Sequence, residues 1–314
     1  MKTISVVIPC YNEQEVLLEL FKRLTEVTNK WKYNVEMICI NDGSKDNTWQ
    51  LLKNQSEKDT RWKAVSFSRN FGHQTAVSCG LSYTTGDAIF IIDADLQDPP
   101  EVLEKFLNKW EEGYDVVYAV RKARKESFFK KLSYWAFYRV LSSLSDLKIP
   151  LDSGDFSLMD RKVVNVINSL PERNRFVRGL RAWAGFKQVG LEYERHARFA
   201  GETKYPFKKL LKLASDGIVS FSSTPLTISA YFGTVVSLLT FLGVIFAFLQ
   251  RIFSPFFTSI GIGPIAGYTT TIMAIMFLGG IQLIFLGIIG MYLGRIYDEV
   301  KQRPNWIIDE SINL

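Results

Sequence analysis

The sequence predicts an α/β domain followed by interfacial helices and two transmembrane helices, and three observations carry that prediction. Short apolar runs alternate with helix-length segments through the first 120 residues. The residues able to do chemistry fall at the ends of those apolar runs. Two long uncharged stretches then occupy the last third of the chain.

Residues 4–10 form a continuous apolar strand, and 13–28 follow with helical spacing. Residues 35–40 are a second strand and 46–56 a helix; 64–67 are a third strand and 73–83 a helix. Residues 88–92 are a fourth strand, ending in Asp93-Ala94-Asp95. Pro99 and Pro100 open the helix 101–111, as proline does at a first turn, and 116–119 are a fifth strand. Alternation at this spacing predicts a parallel sheet with its ligands at the carboxyl ends of the strands. Neither an internal repeat nor a low-complexity tract is evident.

Residues 229–250 hold 22 positions without a charge, and 269–294 another 26. At about 1.5 Å per residue each exceeds a hydrocarbon core of about 30 Å. A buried core helix is the alternative, but it suits 10–14 apolar residues. Basic residues flank the pair: Arg195, Arg198, Lys204, Lys208, Lys209 and Lys212 before it, Arg295, Lys301 and Arg303 after it. The positive-inside rule puts both termini in the cytoplasm and the uncharged loop between the spans outside. The expected organisation is therefore a cytoplasmic domain over 1–203, an amphipathic interfacial segment over 204–228, transmembrane helices at 229–251 and 269–294, an external loop over 252–268, and a cytoplasmic tail over 295–314. For the segment before the first span, a packed surface helix is the alternative to an interfacial one. Gly287, Gly290 and Gly294 in the second span favour close helix packing. A multi-pass protein of the inner (plasma) membrane is expected.

Composition narrows the classes. With 47% hydrophobic and 22% charged residues, the chain is neither disordered nor collagen-like. A net charge of +6, concentrated near 121–139 and 195–212, points to a membrane surface rather than nucleic acid. Cys10, Cys39 and Cys79 lack a C-x-x-C spacing and read as small buried residues of a reduced domain. The N-terminal stretch meets polar residues too early for a signal peptide.

Four strand ends converge on one edge: Pro9-Cys10-Tyr11-Asn12-Glu13, Asn41-Asp42-Gly43-Ser44, Asp93-Ala94-Asp95-Leu96-Gln97, and Arg121. A lone Asp-x-Asp is weak evidence, since a solvated turn produces the same pattern. At a strand end, with Asp42 and Arg121 on flanking strands, it can hold a hard divalent cation with positions open for phosphate oxygens. His73 and His196 are the only histidines and read as surface or hydrogen-bonded residues rather than metal ligands. Phosphate-binding P-loop, dinucleotide-binding and G-x-S-x-G signatures are absent, so NTPase, oxidoreductase and serine-hydrolase readings lose their support.

The segments SVVIPCYNE, INDGSKDNT, DADLQDPPE and VVYAVR resemble the nucleotide-sugar half of family-2 glycosyltransferases with the GT-A fold. SGDFSLMDRKV, RFVRGLRAWAG, RFAGETKYPFKKL and GRIYDEVKQRP narrow this to a resemblance to polyprenyl-phosphate glycosyltransferases, bactoprenol glucosyltransferases above all. The resemblance implies that Pro9, Tyr11, Glu13, Ile40 and Asp42 line the nucleotide. It implies that Asp93, Ala94 and Asp95 serve the diphosphate, and that Asp93, Asp95 and Gln97 hold Mg²⁺ or Mn²⁺. Arg121 would reach phosphate, with Lys130, Lys131 and Arg198 as further acceptor-phosphate candidates; Lys130 and Lys131 also fit a solvated charged face. Arg198 and Lys204 would grip donor phosphate. Asp155 would orient the acceptor or stabilise charge at the anomeric carbon, the alternative being an Asp that caps a turn after Gly154. Asp95, Asp155 and Arg121 are thus the expected catalytic set. Asn41 departs from the second Asp of many relatives, and the full Q-x-x-R-W signature of processive synthases is missing, which favours transfer of a single sugar.

The implied reaction is inverting, metal-dependent transfer of glucose from UDP-glucose to undecaprenyl or another polyprenyl phosphate. Mannose, N-acetylglucosamine or an aminoarabinose derivative are alternative sugars, and a non-catalytic nucleotide- or lipid-binding membrane subunit is the alternative class. A homo-oligomer, with a tetramer favoured, is implied by the same resemblance.

Overall fold

The computed structural model describes residues 1–121, 153–173, 175–194, 224–261 and 268–314. The chain divides into two compact units, Met1–Gly217 with Gln302–Leu314, and Ile218–Lys301.

The first unit is built on β1 (Thr3–Cys10), α1 (Leu17–Thr28), β2 (Asn34–Asn41), α2 (Thr48–Lys58), β3 (Trp62–Phe67), α3 (His73–Tyr83) and β4 (Ala88–Ile91). A single 3₁₀ turn at Pro100–Val102 leads into α4 (Leu103–Glu111), followed by β5 (Val116–Arg121), β6 (Ser153–Asp160), α5 (Arg161–Ser169), α6 (Val177–Trp183) and β7 (Gln188–Tyr193). The last strand, β8 (Ile308–Ile312), comes from the C-terminus. α1 begins at Leu17 rather than at 13, because Glu13–Val16 are spent on a turn in which the Glu13 carbonyl accepts from both Val16 and Leu17 N–H.

The eight strands lie in the order β7-β5-β6-β4-β1-β2-β3-β8. β1 is parallel to both β2 and β4, so the order reverses there and a crevice opens at the carboxyl ends of those strands. The sheet is mixed, which corrects the expectation of a parallel one: β6 is antiparallel to β4 and β5, and β8 is antiparallel to β3. Two features hid β6. Its sequence is broken by Ser153, Asp155 and Ser157, and Ser157 is nevertheless buried, its hydroxyl donating to the Asp155 carbonyl at 2.8 Å. The inversion matters for the site, because it brings the amino end of β6 to the carboxyl edge of its neighbours: Ser153 pairs with Val120.

The helices cover both faces. α1 buries Leu17, Leu20, Phe21 and Leu24, and α4 buries Leu103, Phe106, Leu107 and Trp110, each an i, i+3, i+4, i+7 stripe. They meet Ile4, Val6, Ile8 and Phe90 of the sheet in the larger core cluster. Each such side chain contributes about 1.5–3 kcal/mol on burial. Ile38, Ile40, Val65 and Phe67 form a second cluster with Ala76 and Cys79 of α3. All three cysteines are buried and free, as expected from their spacing. The C-terminal residues, expected only as a tail, close this second cluster: Trp306 stacks on Phe67 at 6.5 Å, and Asn313 donates to the carbonyls of Ser56 and Trp62. β8 is short, polar and exposed, so its hydrophobic pattern is too weak to read as a strand.

The second unit holds α7 (Thr224–Ile252, 29 residues), α8 (Ser254–Ser259) and α9 (Tyr268–Lys301, 34 residues). Phe232 of α7 meets Phe285 of α9 edge-on at 6.0 Å. Of the two expected spans, one helix among the described residues is long and apolar enough to cross a membrane: Phe277–Lys301, with mean hydropathy 1.9 and no buried positions. On α7 the described apolar stretch, Ser229–Gly243, is shorter than that requirement. The amphipathic segment expected at 204–228 lies almost wholly outside the described residues.

Candidate active site

Two loops at the carboxyl edge are laced together by side chains that sequence alone places only near each other. The Asn12 N–H donates to Ser44 Oγ at 3.0 Å, and Asn12 Oδ1 accepts the Lys45 N–H at 2.8 Å. The Glu13 N–H donates to Thr48 Oγ1 at 2.9 Å. Asn12 sits at φ 53° and Leu96, in the loop after β4, at φ 55°. Left-handed backbone at non-glycine residues is uncommon and collects at functional sites; of the four such residues among the described ones, Asn12 and Leu96 flank the same crevice, while Gln302 and Asn313 lie near the C-terminus.

Asp42 organises the approach to α3. Its carboxylate accepts the Phe71 N–H at 2.6 Å, the Gly72 N–H at 3.0 Å and the Asn70 side-chain amide at 2.8 Å. Burial nonetheless raises its pKa above the ordinary aspartate value, against the pull of those N–H groups. The neighbouring Gly43 has φ +61°, and a Cβ there would lie 2.3 Å from the Arg69 carbonyl carbon. Gly43→Ala is therefore expected to cost about 2–3 kcal/mol and to lower the midpoint of thermal unfolding by about 5–10 °C, read by a melt in detergent; an unchanged midpoint would show that the loop relaxes freely.

The centre of the crevice is a cluster of opposite charges. His73, the first residue of α3, has Nε2 3.3 Å from Asp155 Oδ2 and 3.7 Å from Asp93 Oδ1. Gln74 donates from Nε2 to Asp155 Oδ2 at 2.9 Å, and Arg178 Nε lies 3.5 Å from Asp155 Oδ1. Arg181, one turn further along α6, is fully buried, its Nη1 reaching the Gly154 carbonyl at 3.5 Å and its guanidinium lying 5.5 Å from the Tyr118 ring. Burial lowers the Arg181 pKa to about 10, so it remains a cation. Burial works against the charge on Asp155, but Arg178, His73 and Arg181 together hold its pKa well below the carboxylate range. His73 moves the other way: burial disfavours its cation, yet the hydrogen bond to Asp155 and the charge of Asp93 raise it to about 9.

Asp93 behaves differently from Asp155. Burial raises its pKa to about 6, with His73 opposing and Asp98, Asp155 and Asp95 reinforcing. Its Oδ1 is buried and, among the described residues, accepts no hydrogen bond. Asp95 is buried and accepts the Gln97 N–H at 3.1 Å, while Asp98 accepts the Tyr193 hydroxyl from the end of β7. Among the described residues, no group of three or more His, Cys, Asp or Glu side chains is assembled as a metal site. The donor set still fits a hard divalent cation. An orphaned carboxylate oxygen stands among acidic neighbours whose mutual repulsion a cation would relieve.

The residues singled out from sequence divide into three groups. Asp93, Ala94, Asp95 and Gln97 occupy the loop after β4, and Asp155 stands at the amino end of β6. Pro9 and Ile40 are paired, buried positions on β1 and β2, and Tyr11 and Glu13 keep partial exposure at the rim. Arg121 closes β5 at the same edge, paired with Tyr193; Lys130, Lys131, Arg198 and Lys204 lie outside the described residues. Sequence reasoning missed the partners of Asp155: His73, Gln74, Arg178 and Arg181. One signal was present, since arginines at 178 and 181 have the i, i+3 spacing of one helix face. Asn41 also finds its role here, donating to Ser66 Oγ at 2.9 Å and accepting the Ser44 N–H at 3.2 Å, so it shapes the loop that presents Asp42.

Residues 5–167 match the model of the glycosyl transferase family 2 domain. The chain belongs to that family: it is a glycosyltransferase with the α/β GT-A fold. It is 48% identical to an uncharacterized glycosyltransferase of Bacillus subtilis, over 99% of this chain and 94% of that protein. It is 41% identical to a prophage bactoprenol glucosyl transferase homolog of Escherichia coli, over 97% of this chain and 98% of that one. It is 40% identical to a prophage-derived bactoprenol glucosyl transferase of Shigella flexneri, over 98% of both chains. Among solved structures, mannosyl-3-phosphoglycerate synthase from Rubrobacter xylanophilus shares the fold, with a TM-score of 0.50 and 16% identity over 74% of this chain and 75% of that one.

Proposed function

We propose that this glycosyltransferase moves one sugar, glucose from UDP-glucose, onto a polyprenyl phosphate at the cytoplasmic face of the inner membrane, with inversion at the anomeric carbon. One observation carries the reading: the match to bactoprenol glucosyl transferases runs over 97–98% of the chain, through the helical unit as well as the sheet unit. The exposed apolar side chains of that helical unit, Leu238, Phe241, Leu283 and Ile284 among them, suit a lipid surrounding better than water. A polyprenyl tail stays in the bilayer, so an enzyme that uses it needs such an anchor.

The chemistry follows from the acceptor. A phosphate monoester with its second pKa near 6 is largely ionised at neutral pH, so no base has to remove a proton before it attacks. Its oxygen forms the new bond to the anomeric carbon while the bond to the UDP oxygen breaks, the electron pair leaving with UDP. A divalent cation held by Asp93 and Asp95, with Gln97 nearby, would stabilise charge on the departing diphosphate. The chain's own groups do the positioning. Asp155, kept anionic by Arg178 and His73, is suited to stabilising positive charge on the sugar ring rather than to accepting a proton. Arg121, at the end of β5, is suited to the phosphates.

The test uses purified full-length protein in detergent, undecaprenyl phosphate and a panel of radiolabelled nucleotide sugars, with Mg²⁺, Mn²⁺ or EDTA. Label passing from UDP-glucose into the lipid phase, and lost with EDTA, is the expected result. Transfer from another donor alone would replace the sugar and keep the reaction. Nucleotide binding without transfer from any donor would overturn the proposal in favour of a non-catalytic subunit.

A further inference from the structure

Gln74 is joined to two other elements of the crevice at once. Its Nε2 donates to Asp155 Oδ2 on β6 at 2.9 Å, across 81 residues of sequence. Its Oε1 accepts the N–H of Val177, the first residue of α6, at 2.9 Å, across 103 residues. Both ends of the amide are used, so its orientation is fixed by the two partners together. His73 Nε2 approaches the same Oδ2 at 3.3 Å. The other oxygen differs: among the described residues Asp155 Oδ1, which is buried, accepts no hydrogen bond, and Arg178 Nε stands 3.5 Å from it.

The carboxylate of Asp155 therefore has one oxygen tethered by a hydrogen bond and one that faces the Arg178 guanidinium in an ion pair. Rotation about the terminal bond of an aspartate is broad and nearly twofold, so an unrestrained carboxylate exchanges its oxygens and tilts freely. A hydrogen bond from an amide that is itself anchored removes that freedom. We infer that Gln74 is a positioning residue for the transfer reaction, tethering Asp155 Oδ2 so that Oδ1 is the oxygen presented to the reacting centre. The inference rests on the reading of Asp155 as a group that acts on the sugar. Gln74 does not touch substrate in this scheme; it acts through Asp155. Misplacing a group at a reacting centre by about 1 Å can cost about 100-fold in rate, which sets the scale of the expected effect.

The same amide also caps α6, so a purely structural role has to be separated from a positioning one. Gln74→Glu does this. It keeps an oxygen for the Val177 N–H and replaces the donor to Asp155 with a second carboxylate. Turnover, KM for the nucleotide sugar and the thermal midpoint would be measured for wild type, Gln74→Glu, Gln74→Met, Asp155→Asn and the Gln74→Met/Asp155→Asn pair, using label transfer to undecaprenyl phosphate.

The expected result is a fall in kcat of about 10–100-fold in Gln74→Glu and Gln74→Met, with KM for the donor within about twofold. In the Asp155→Asn background, Gln74→Met should add little, because the carboxylate charge that Gln74 positions is already gone. Wild-type kcat in Gln74→Glu would overturn the inference, leaving Gln74 as a structural cap. Full additivity in the double variant would overturn it too. Wild-type kcat in Asp155→Asn would instead overturn the underlying reading of Asp155, an outcome seen without any Gln74 variant. Should Gln74→Met fail to fold, the comparison of Gln74→Glu with wild type still decides.

Discussion

Asp155→Asn is expected to lower turnover by about 100- to 1,000-fold while leaving UDP binding within about twofold. The size follows from what the substitution removes. Asp155 is a carboxylate with only a tenth of its side chain exposed, held by His73, Gln74 and Arg178 before any substrate arrives. A fixed charge in a site shielded from water stabilises developing charge without reorganisation, and removing one such preorganised group costs on that scale. Nucleotide binding should survive because the Asp42 loop and the Asp93–Gln97 loop are built from other elements. The change leaves a second mark. Asparagine removes the negative charge that His73, Arg178 and Arg181 surround, so three cationic groups lose their common counter-charge. Label-transfer kinetics and calorimetric titration with UDP check both halves; turnover within tenfold of wild type would reject the assigned role.

Glu36→Ala is expected to be the most damaging single change away from the crevice, costing about 3–5 kcal/mol and lowering the thermal midpoint by about 10 °C. Glu36 is buried on β2, where Oε1 accepts from the Ser5 hydroxyl at 2.6 Å, the Thr85 N–H at 2.7 Å and the Gly86 N–H at 3.3 Å, and Oε2 pairs with Lys63 at 2.8 Å. Alanine takes the carboxylate away from the Ser5 hydroxyl, the Thr85 N–H and Lys63, while the Gly86 N–H keeps Ser5 Oγ at 2.9 Å. Burial pushes the pKa of Glu36 up, but Lys63, Ser5 and Thr85 outweigh it and the net shift is downward from about 4.5. A carboxylate with a lowered folded-state pKa contributes stability above its unfolded value, and that contribution is lost as pH falls through the folded value. The gap in midpoint between wild type and Glu36→Ala should therefore be full at neutral pH and narrow as pH drops below about 4.5. A gap that is constant with pH would mean that the charge of Glu36 contributes nothing.

The parts of this molecule that were legible in the sequence are those whose signal is local. β1 to β5 and their helices stand within a few residues of where the apolar runs put them, because each strand is a short run and α1 and α4 each repeat an apolar stripe. β6 was lost because the serines and aspartate that serve the site interrupt its apolar pattern. β8 was lost because an edge strand with one neighbour needs few apolar residues. The candidate site follows the same division. Asp93 and Asp95 announce themselves at a strand end, whereas His73, Gln74, Arg178 and Arg181 acquire meaning only when α3 and α6 are folded against β6. Such long-range partnerships leave no periodicity behind.

The return of the chain to the sheet after α9 carries a rule of parity. Residues on both sides of the helical unit, Met1–Gly217 and Gln302–Leu314, belong to one compact unit, and β8 is hydrogen-bonded to β3 within it. A chain whose two flanks are stitched into the same sheet starts and finishes on the same side of any bilayer. If Phe277–Lys301 crosses a bilayer, a second crossing has to bring the chain back to the side of the sheet. The outbound passage would then fall to the stretch between Ile218 and the start of that segment, where the 29-residue helix α7 stands. Five residues of edge strand thus constrain how the rest of the chain can be threaded.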